Sequence, residues 1–197
     1  MLLKRIKQPS VEFQIPLNGN WVSVDRFLQE PNLLIKHYLY GDFDYDFEIL
    51  EGGFFISADG KPWNSENHVE SFSNAEWWLD GIRQACNSSD RIFVHVWEET
   101  NLYIWHKDKL LFMKDDTHHR HVRLPQVCFE FEKFVDVFLP EAEKFARLVD
   151  CLGPLIADLP DPKSDPLLKT RVDCLKECYP DLDAPLKFKT MYDALQH

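Results

Sequence analysis

The chain has 197 residues, of which 45% are hydrophobic, and a formal net charge of −11. We predict a single domain over residues 1–197, with a body at 1–152 and a wrapping tail at 153–197, because this length and apolar content can build a substantial core. The acidic balance argues against nucleic acid and anionic membranes as partners, since phosphate contacts require clustered Lys and Arg. It favours a basic protein or a cationic ligand, or serves solubility alone.

The N-terminal segment MLLKRIKQPS has no apolar run of signal-peptide length, and no later segment approaches the length of a membrane span. We therefore expect a cytoplasmic protein that does not bind membranes. The five cysteines are odd in number and include no CxxC pair. This pattern favours buried thiols over a disulfide framework or a zinc knuckle.

The first predicted elements are a strand and a short helix. Residues 11–15 alternate between apolar and polar side chains as a strand does, and Pro16 and the turn residues 18–20 should end it. Ser23 is a residue type that caps helices. The helix after it should stop before Pro31, because a residue that precedes proline disfavours helical dihedral angles.

The next stretch holds most of the negative charge. Residues 41–80 contain ten carboxylates and one base, Lys61, a local charge of −9 out of the total of −11. In the sequence GDFDYDFEIL the acids alternate with apolar residues, which predicts a strand with one acidic face. Neighbouring carboxylates on such a face stand about 7 Å apart and repel by roughly 0.6 kcal/mol in water, and a basic partner would relieve this repulsion. Gly52-Gly53 should then turn the chain into a hairpin with residues 54–57.

A helix followed by a meander is predicted for the middle of the chain. Ser73 and Glu76 form a capping-box pattern at the start of the helix, and helical spacing continues to residue 86. Three apolar runs separated by short polar turns follow, over residues 91–99, 101–107 and 109–115, which indicates antiparallel strands. The first of these runs is apolar on both faces and should be a central strand.

The C-terminal half is predicted to contain one more strand and two helices. Residues 127–131 read as the strand, and a helical apolar period spans 134–152. Pro140 either kinks this helix or starts its main part, and Gly153-Pro154 should end it. The tail is Pro-rich and includes a helix at 167–178. The predicted fold class is therefore α+β, an antiparallel meander with helices packed on it.

One segment has the residue types of a metal or catalytic site. It contains the possible ligands Asp115, Asp116, His118, His119 and His121. Neighbours in one loop mostly diverge, however, and no metal-binding signature accompanies them, so we predict a solvated loop and no metal site.

Other catalytic chemistry finds little support in the sequence. His95 and His106 lie among aromatic residues, where a satisfied structural role is the usual one. Nucleophile signatures are absent, and seven glycines are too few and too scattered for a phosphate-binding loop. We predict no cofactor, no catalytic residue and no enzyme activity.

The acidic run at residues 42–51 is interleaved with aromatic residues, which suits a partner surface as well as an ordinary solvated face. Trp63, in a polar segment after Lys61-Pro62, is interpreted either as an exposed interface anchor or as a lid folded back on the core. The predicted partner-binding residues are Asp42, Asp44, Asp46, Glu48, Glu51 and Trp63.

The plan of residues 70–152, a meander and a following helix in an acidic, Trp-rich chain, resembles that of immunity proteins from bacterial toxin–immunity systems. The resemblance lies in composition and style and assigns no residue a role. It implies an acidic binder that masks a toxin's catalytic cleft, which is often basic. We therefore predict a protein that neutralises a basic partner, the cognate toxin domain of an interbacterial system. The alternatives are a metal-assisted hydrolase using residues 115–121 and a scaffold subunit of a larger complex.

Overall fold

The computed structural model describes residues 5–41, 51–64, 70–88, 90–97, 100–115 and 125–178. These residues form helices and two antiparallel sheets, so the predicted α+β class is confirmed. The strands are β1 (Pro9–Leu17), β2 (Asn20–Ser23), β3 (Glu51–Ala58), β4 (Lys61–Pro62), β5 (Glu70–Ser71), β6 (Ile92–Trp97), β7 (Thr100–Lys107), β8 (Leu110–Asp115) and β9 (Val127–Glu130). The helices are α1 (Val24–Gln29), α2 (Pro31–Tyr40), α3 (Phe72–Asn87), α4 (Phe131–Ala157) and α5 (Pro166–Cys178).

The first sheet has the order β2-β1-β3-β4, with β5 also paired to β3. Strand β1 runs through Pro16 and turns into β2 at Asn18-Gly19, where positive φ angles of 52° and 76° give the tight turn that suits a two-residue hairpin. Ser23 caps α1 as predicted, its hydroxyl accepting a hydrogen bond from the Asp25 N–H. The predicted short helix is therefore confirmed.

The expectation of a turn at Gly52-Gly53 is wrong. Both glycines are buried inside β3, where Gly52 pairs with Glu70 and Gly53 with Gln14. A glycine pair favours a turn only when no partner strand is near, and here partners distant in sequence hold it extended.

The far edge of β3 is completed by the segment that follows its hairpin with β4. The N–H of Trp63 donates to the carbonyl of Ile56 at 2.8 Å. The buried Asn64 side chain then acts as a short piece of strand, since its Oδ1 accepts from the Ile56 N–H at 2.6 Å and its Nδ2 donates to the Phe54 carbonyl at 2.8 Å. Each of these backbone groups of β3 thus has a partner.

The second sheet is the predicted meander, in the order β6-β7-β8-β9. The placement of β6 as a central strand is wrong, because among the described strands β6 pairs with β7 alone. Helix α3 packs against β6 and β7, so a helix covers a face of β6 while its edge away from β7 pairs with no described strand. A strand that is apolar on both faces therefore does not need two strand neighbours.

Helix α3 begins at Phe72, one residue before Ser73, and the side chains of the predicted capping box lie outside the described residues. The helix buries Trp78, Leu79 and Ile82, as its spacing predicted. Neither this helix nor any other in the described ranges is long and apolar enough to cross a membrane.

Helix α4 is longer than its sequence predicted, because it continues through Pro140 and past Gly153-Pro154 to Ala157. Both prolines lie on the exposed face of the helix, so the carbonyls that lose an amide partner, those of Asp136 and Asp150, belong to exposed residues and can bind water. The buried face continues without interruption and includes Phe134, Phe138, Phe145 and Ile156. Packing on that face outweighs the missing amides.

Aromatic rings dominate the core between α4 and the first sheet. Phe13 of β1 lies 4.7 Å from Phe145, and Phe54 of β3 lies 4.8 Å from Phe138, measured between ring centroids. Both sheets contribute to one continuous buried cluster. Helix α4 therefore covers the inner face of the first sheet.

The predicted tail helix is confirmed as α5, which packs on α2 and α4 and buries Val172 and Leu175. The guanidinium of Arg171 fixes it there, since its Nη1 donates to the carbonyls of Leu39 at 2.8 Å and Gly41 at 3.1 Å. These carbonyls stand at the C-terminal end of α2, where a helix has no amide partners of its own. Arg171 thus caps α2 from another element.

Candidate functional site

One groove in the described ranges runs from the outer face of the first sheet to the edge of β1 beside α1 and α4. Because side chains alternate along a strand, the residues between Val11, Phe13 and Ile15 on β1 point away from the core. They line a groove of about 560 Å³ together with side chains from α1, β3, β4 and α4. Its polar lining consists of Ser10, Glu12, Gln14, Ser23, Asp25, Ser57, Asn64, Glu141 and Lys144.

One rim of the groove is a closed network of charges. The Nζ of Lys144 lies 2.8 Å from Asp25 Oδ2 and 2.7 Å from Glu141 Oε1. The other carboxylate oxygen of the buried Glu141 accepts the N–H of Phe13 at 2.9 Å, on the side of β1 where β2 has already ended. This network joins α1, α4 and β1, so its primary role is structural.

The same network determines what Lys144 can do chemically. Hydrogen bonds to Asp25 and then to Glu141 raise the pKa of Lys144. The amine therefore stays protonated near neutral pH and is neither a nucleophile nor a general base there. The lining of the groove contains no His or Cys.

Glu12 differs from the other two carboxylates of the groove. Its side chain is exposed, and no Lys or Arg in the described part of the chain pairs with it. Gln14 Nε2 donates to Glu12 Oε2 at 2.8 Å, which orients the carboxylate and leaves Oε1 for another donor. Directly across the strand pair stands Phe55, whose half-buried ring lies 5.1 Å from that of Trp21 on β2.

The acidic run can be located only in part. Residues 42–50, with Asp42, Asp44, Asp46 and Glu48, lie outside the described residues, as does the side chain of Glu51. Glu51 is the first residue of β3, so the run leads directly into the strand that carries Phe55. The predicted contributions of these acids to partner binding remain predictions.

The interpretation of Trp63 as an exposed interface anchor is wrong. Trp63 is 5% exposed, its indole Nε1 donates to the Pro125 carbonyl at 2.7 Å, and its ring meets Trp78 edge to face at 6.5 Å. The alternative, a lid folded back on the core, describes it correctly. A large apolar ring with its one donor satisfied is more stable buried than in water.

Two acids of residues 41–80 that lie outside the acidic run are paired with bases of the same chain. Asp59 Oδ2 lies 2.6 Å from Lys7 Nζ, and this hydrogen bond, followed by one from the Gln8 N–H, lowers the pKa of Asp59. Asp80 pairs with Arg83 at 2.6 Å on α3. The excess of negative charge that a partner would meet is thus smaller than the sequence count indicates.

The possible metal ligands give no site in the described residues. Residues 116–121 lie outside them, and so does the side chain of Asp115. In the ranges that the structure describes, no group of three or more His, Cys, Asp and Glu side chains is placed to hold a metal ion. His106 stacks on Phe131 at 4.4 Å, in keeping with a structural role.

Sequence reasoning missed the combination of Glu12, Trp21 and Phe55. The alternation of residues 11–15 predicted a polar outer face that includes Glu12, but only the register of β1 against β3 places Phe55 across from it. Comparison with known families, curated proteins and solved structures gives the groove no precedent, since no family model, curated protein or solved structure matches the chain.

Proposed function

We propose that this chain is a binding protein that captures and neutralises a basic protein, in the manner of an immunity protein that masks its cognate toxin domain. The outer face of the first sheet and the acidic run form the binding surface. The observation that carries the proposal is a groove in which the exposed carboxylate of Glu12 has no cation partner in the described chain and lies across from Phe55, whose half-buried ring lies 5.1 Å from that of Trp21.

Binding fits this surface better than catalysis does. Lys144 is held as a cation by two carboxylates, and the serines of the groove have no histidine among the other lining residues to activate them. Aromatic side chains are instead enriched at protein interfaces, where aromatic and Arg anchors supply much of the affinity and complementary charge selects the partner.

The acidic run contributes mainly to the rate of association. Four carboxylates in seven residues attract a basic surface over about one Debye length, which is roughly 10 Å at 0.1 M salt. Complementary charge raises association rates and selects against partners of the wrong sign, whereas contacts in the groove govern dissociation. The net charge of −11 likewise favours basic partners over acidic ones.

The test replaces the four acids of the run and compares them with four acids elsewhere. One variant carries Asp42→Asn, Asp44→Asn, Asp46→Asn and Glu48→Gln. The control carries the same change of charge on the exposed face of α4, at Glu132, Asp136, Glu143 and Asp150. The candidate partner is a basic C-terminal domain of a large secreted protein, to be sought among the products of the genes that neighbour the gene for this chain, and surface plasmon resonance measures both rate constants.

We expect the first variant to associate about tenfold more slowly at low salt and to lose most of its salt dependence, and the control to change far less. Circular dichroism checks that both variants fold. An association rate and a salt dependence equal to those of the unmodified chain would refute the role of the acidic run.

A further inference from the structure

We propose that Glu12, Phe55 and Trp21 form a subsite for one arginine side chain of the basic partner. This inference rests on the proposed function and adds to it the residue type that the groove recognises. It follows from three features of the outer face of the first sheet: an oriented carboxylate, two adjacent rings and open space above them.

The first feature is the carboxylate of Glu12. Gln14 Nε2 donates to one of its oxygens at 2.8 Å, which favours one orientation of this exposed group before any ligand arrives. The nearest cation of the groove, Lys144, is engaged by Asp25 and Glu141 and does not pair with Glu12. Among the described residues, no Lys or Arg therefore competes with an incoming cation for Oε1.

The second feature is the pair of rings. Glu12 and Phe55 are directly opposed residues of antiparallel strands, a position in which Cβ atoms stand about 5 Å apart. Trp21 lies on the neighbouring strand β2 with its ring 5.1 Å from that of Phe55 and inclined by 57°. Both rings are half-buried, so each is supported by the sheet and still presents surface to a ligand.

The third feature is space. The groove of about 560 Å³ extends from Glu12 and Phe55 to Ser10 and Ser57, which face each other across β1 and β3. It can hold a long side chain together with part of the backbone that carries it, and the two hydroxyls are suited to hydrogen bonds with that backbone.

These features select arginine over lysine. A guanidinium is planar, so it can lie on an aromatic ring while its N–H groups pair with a carboxylate at its edge. A lysine ammonium carries the same charge but has no plane to stack, and its stronger hydration opposes transfer to the ring surface. A basic partner that inserts arginine is thus distinguished from one that offers lysine.

The experiment uses two peptides of equal length and charge, acetyl-(Gly-Arg)₄-amide and acetyl-(Gly-Lys)₄-amide, titrated into the full chain at low salt by isothermal calorimetry. We expect the arginine peptide to bind about fivefold to thirtyfold more tightly than the lysine peptide. Glu12→Gln and Phe55→Leu should each remove most of that difference. Glu143→Gln on α4 makes the same change of charge as Glu12→Gln and should leave the preference unchanged.

Equal affinity for both peptides would overturn the subsite, and so would an equal loss of affinity in Glu12→Gln and Glu143→Gln. Phe55→Leu preserves an apolar side chain in the sheet, and circular dichroism confirms that each variant is folded. If the acidic-run variant loses the toxin domain while the peptides show no arginine preference, the proposed function stands and the subsite falls. If the preference holds and no basic domain binds, the groove recognises arginine but the neutralising role is wrong.

Discussion

Replacing Asn64 tests how the first sheet is completed. Asn64→Ala removes the acceptor of the Ile56 N–H and the donor to the Phe54 carbonyl. Asn64 itself is 2% exposed, so water has little access to either group. Leaving a buried polar group without a partner costs about 1–3 kcal/mol, and we expect a loss of about 2–4 kcal/mol in the free energy of unfolding for the two groups together.

Asn64→Asp gives a more specific result, because the new side chain keeps an acceptor for Ile56 but, when ionised, has no donor for Phe54. Burial and the nearby carbonyl oxygen favour the protonated form of the introduced carboxyl and raise its pKa in the folded state. The folded state then binds a proton more tightly than the unfolded state does. The deficit relative to the unmodified chain should therefore be largest near neutral pH and shrink as the pH falls through the raised pKa.

Urea denaturation followed by tryptophan fluorescence, at several pH values, measures both effects. Asn32→Asp is the control, since Asn32 is exposed in the first turn of α2 and the same change there should alter stability by no more than about 0.5 kcal/mol. A loss below about 1 kcal/mol for Asn64→Ala, or a deficit of Asn64→Asp that does not vary with pH, would refute the role assigned to this side chain.

Two further predictions concern charged groups that join distant parts of the chain. Arg171→Ala should lower the free energy of unfolding by about 2 kcal/mol, because the carbonyls at the end of α2 lose their donor. Hydrogen exchange at residues 38–41 should become faster for the same reason. Lys169→Ala, at an exposed position on α5, is the control, and an equal effect of this change would contradict the role of Arg171. The Asp59→Asn variant should be less stable than the unmodified chain near neutral pH, and this difference in stability should shrink as the pH falls. The pKa of Asp59 is lowered in the fold, so its contribution to stability is present above the ordinary Asp pKa and is lost as the pH falls through the lowered value. Thermal unfolding of both proteins from neutral to acid pH measures this contribution. A difference in stability that does not change with pH would show that Asp59 stabilises the fold by some other means.

The local pattern of the sequence predicted those elements that depend on short-range signals. The meander of β6 to β9 followed from apolar runs joined by short polar turns, and the turn Asn18-Gly19 followed from residues that tolerate positive φ. The helix α5 was predicted at residues 167–178 from the residues between flanking prolines, which is again a short-range signal. In each case the signal and the structure it specifies lie within a few residues.

The errors arose where distant contacts decide the outcome. Gly52-Gly53 is extended because Gln14 and Glu70 pair with it, and Trp63 is buried because Pro125 and Trp78 surround it. Helix α4 passes through its prolines because one face is buried over its whole length. None of these partners is close in sequence, and a residue's own propensity does not reveal them.

The candidate site likewise has one part that local sequence patterns predict and another that depends on distant contacts. The outward direction of Glu12 could be predicted from alternation along β1, but the register that brings Phe55 opposite it and Trp21 beside Phe55 could not. That Lys144 is engaged by Asp25 and does not pair with Glu12 likewise depends on a contact across more than one hundred residues of sequence. Composition alone therefore overstated the unneutralised charge of residues 41–80, where Asp59 and Asp80 are paired, and missed the groove.

The completed margin of β3 also affects how copies of this chain behave when concentrated. An open strand margin is a template on which another molecule can add its own strand, and repeated addition leads to insoluble fibrils. Here these groups on the edge of β3 have partners within the same molecule. Strand β5 pairs with Gly52, and β4 pairs with Ala58. Between them, the Asn64 side chain and the Trp63 amide bind the backbone groups of Phe54 and Ile56. The described part of this edge of β3 is therefore occupied and does not serve as a template for a second copy of the chain.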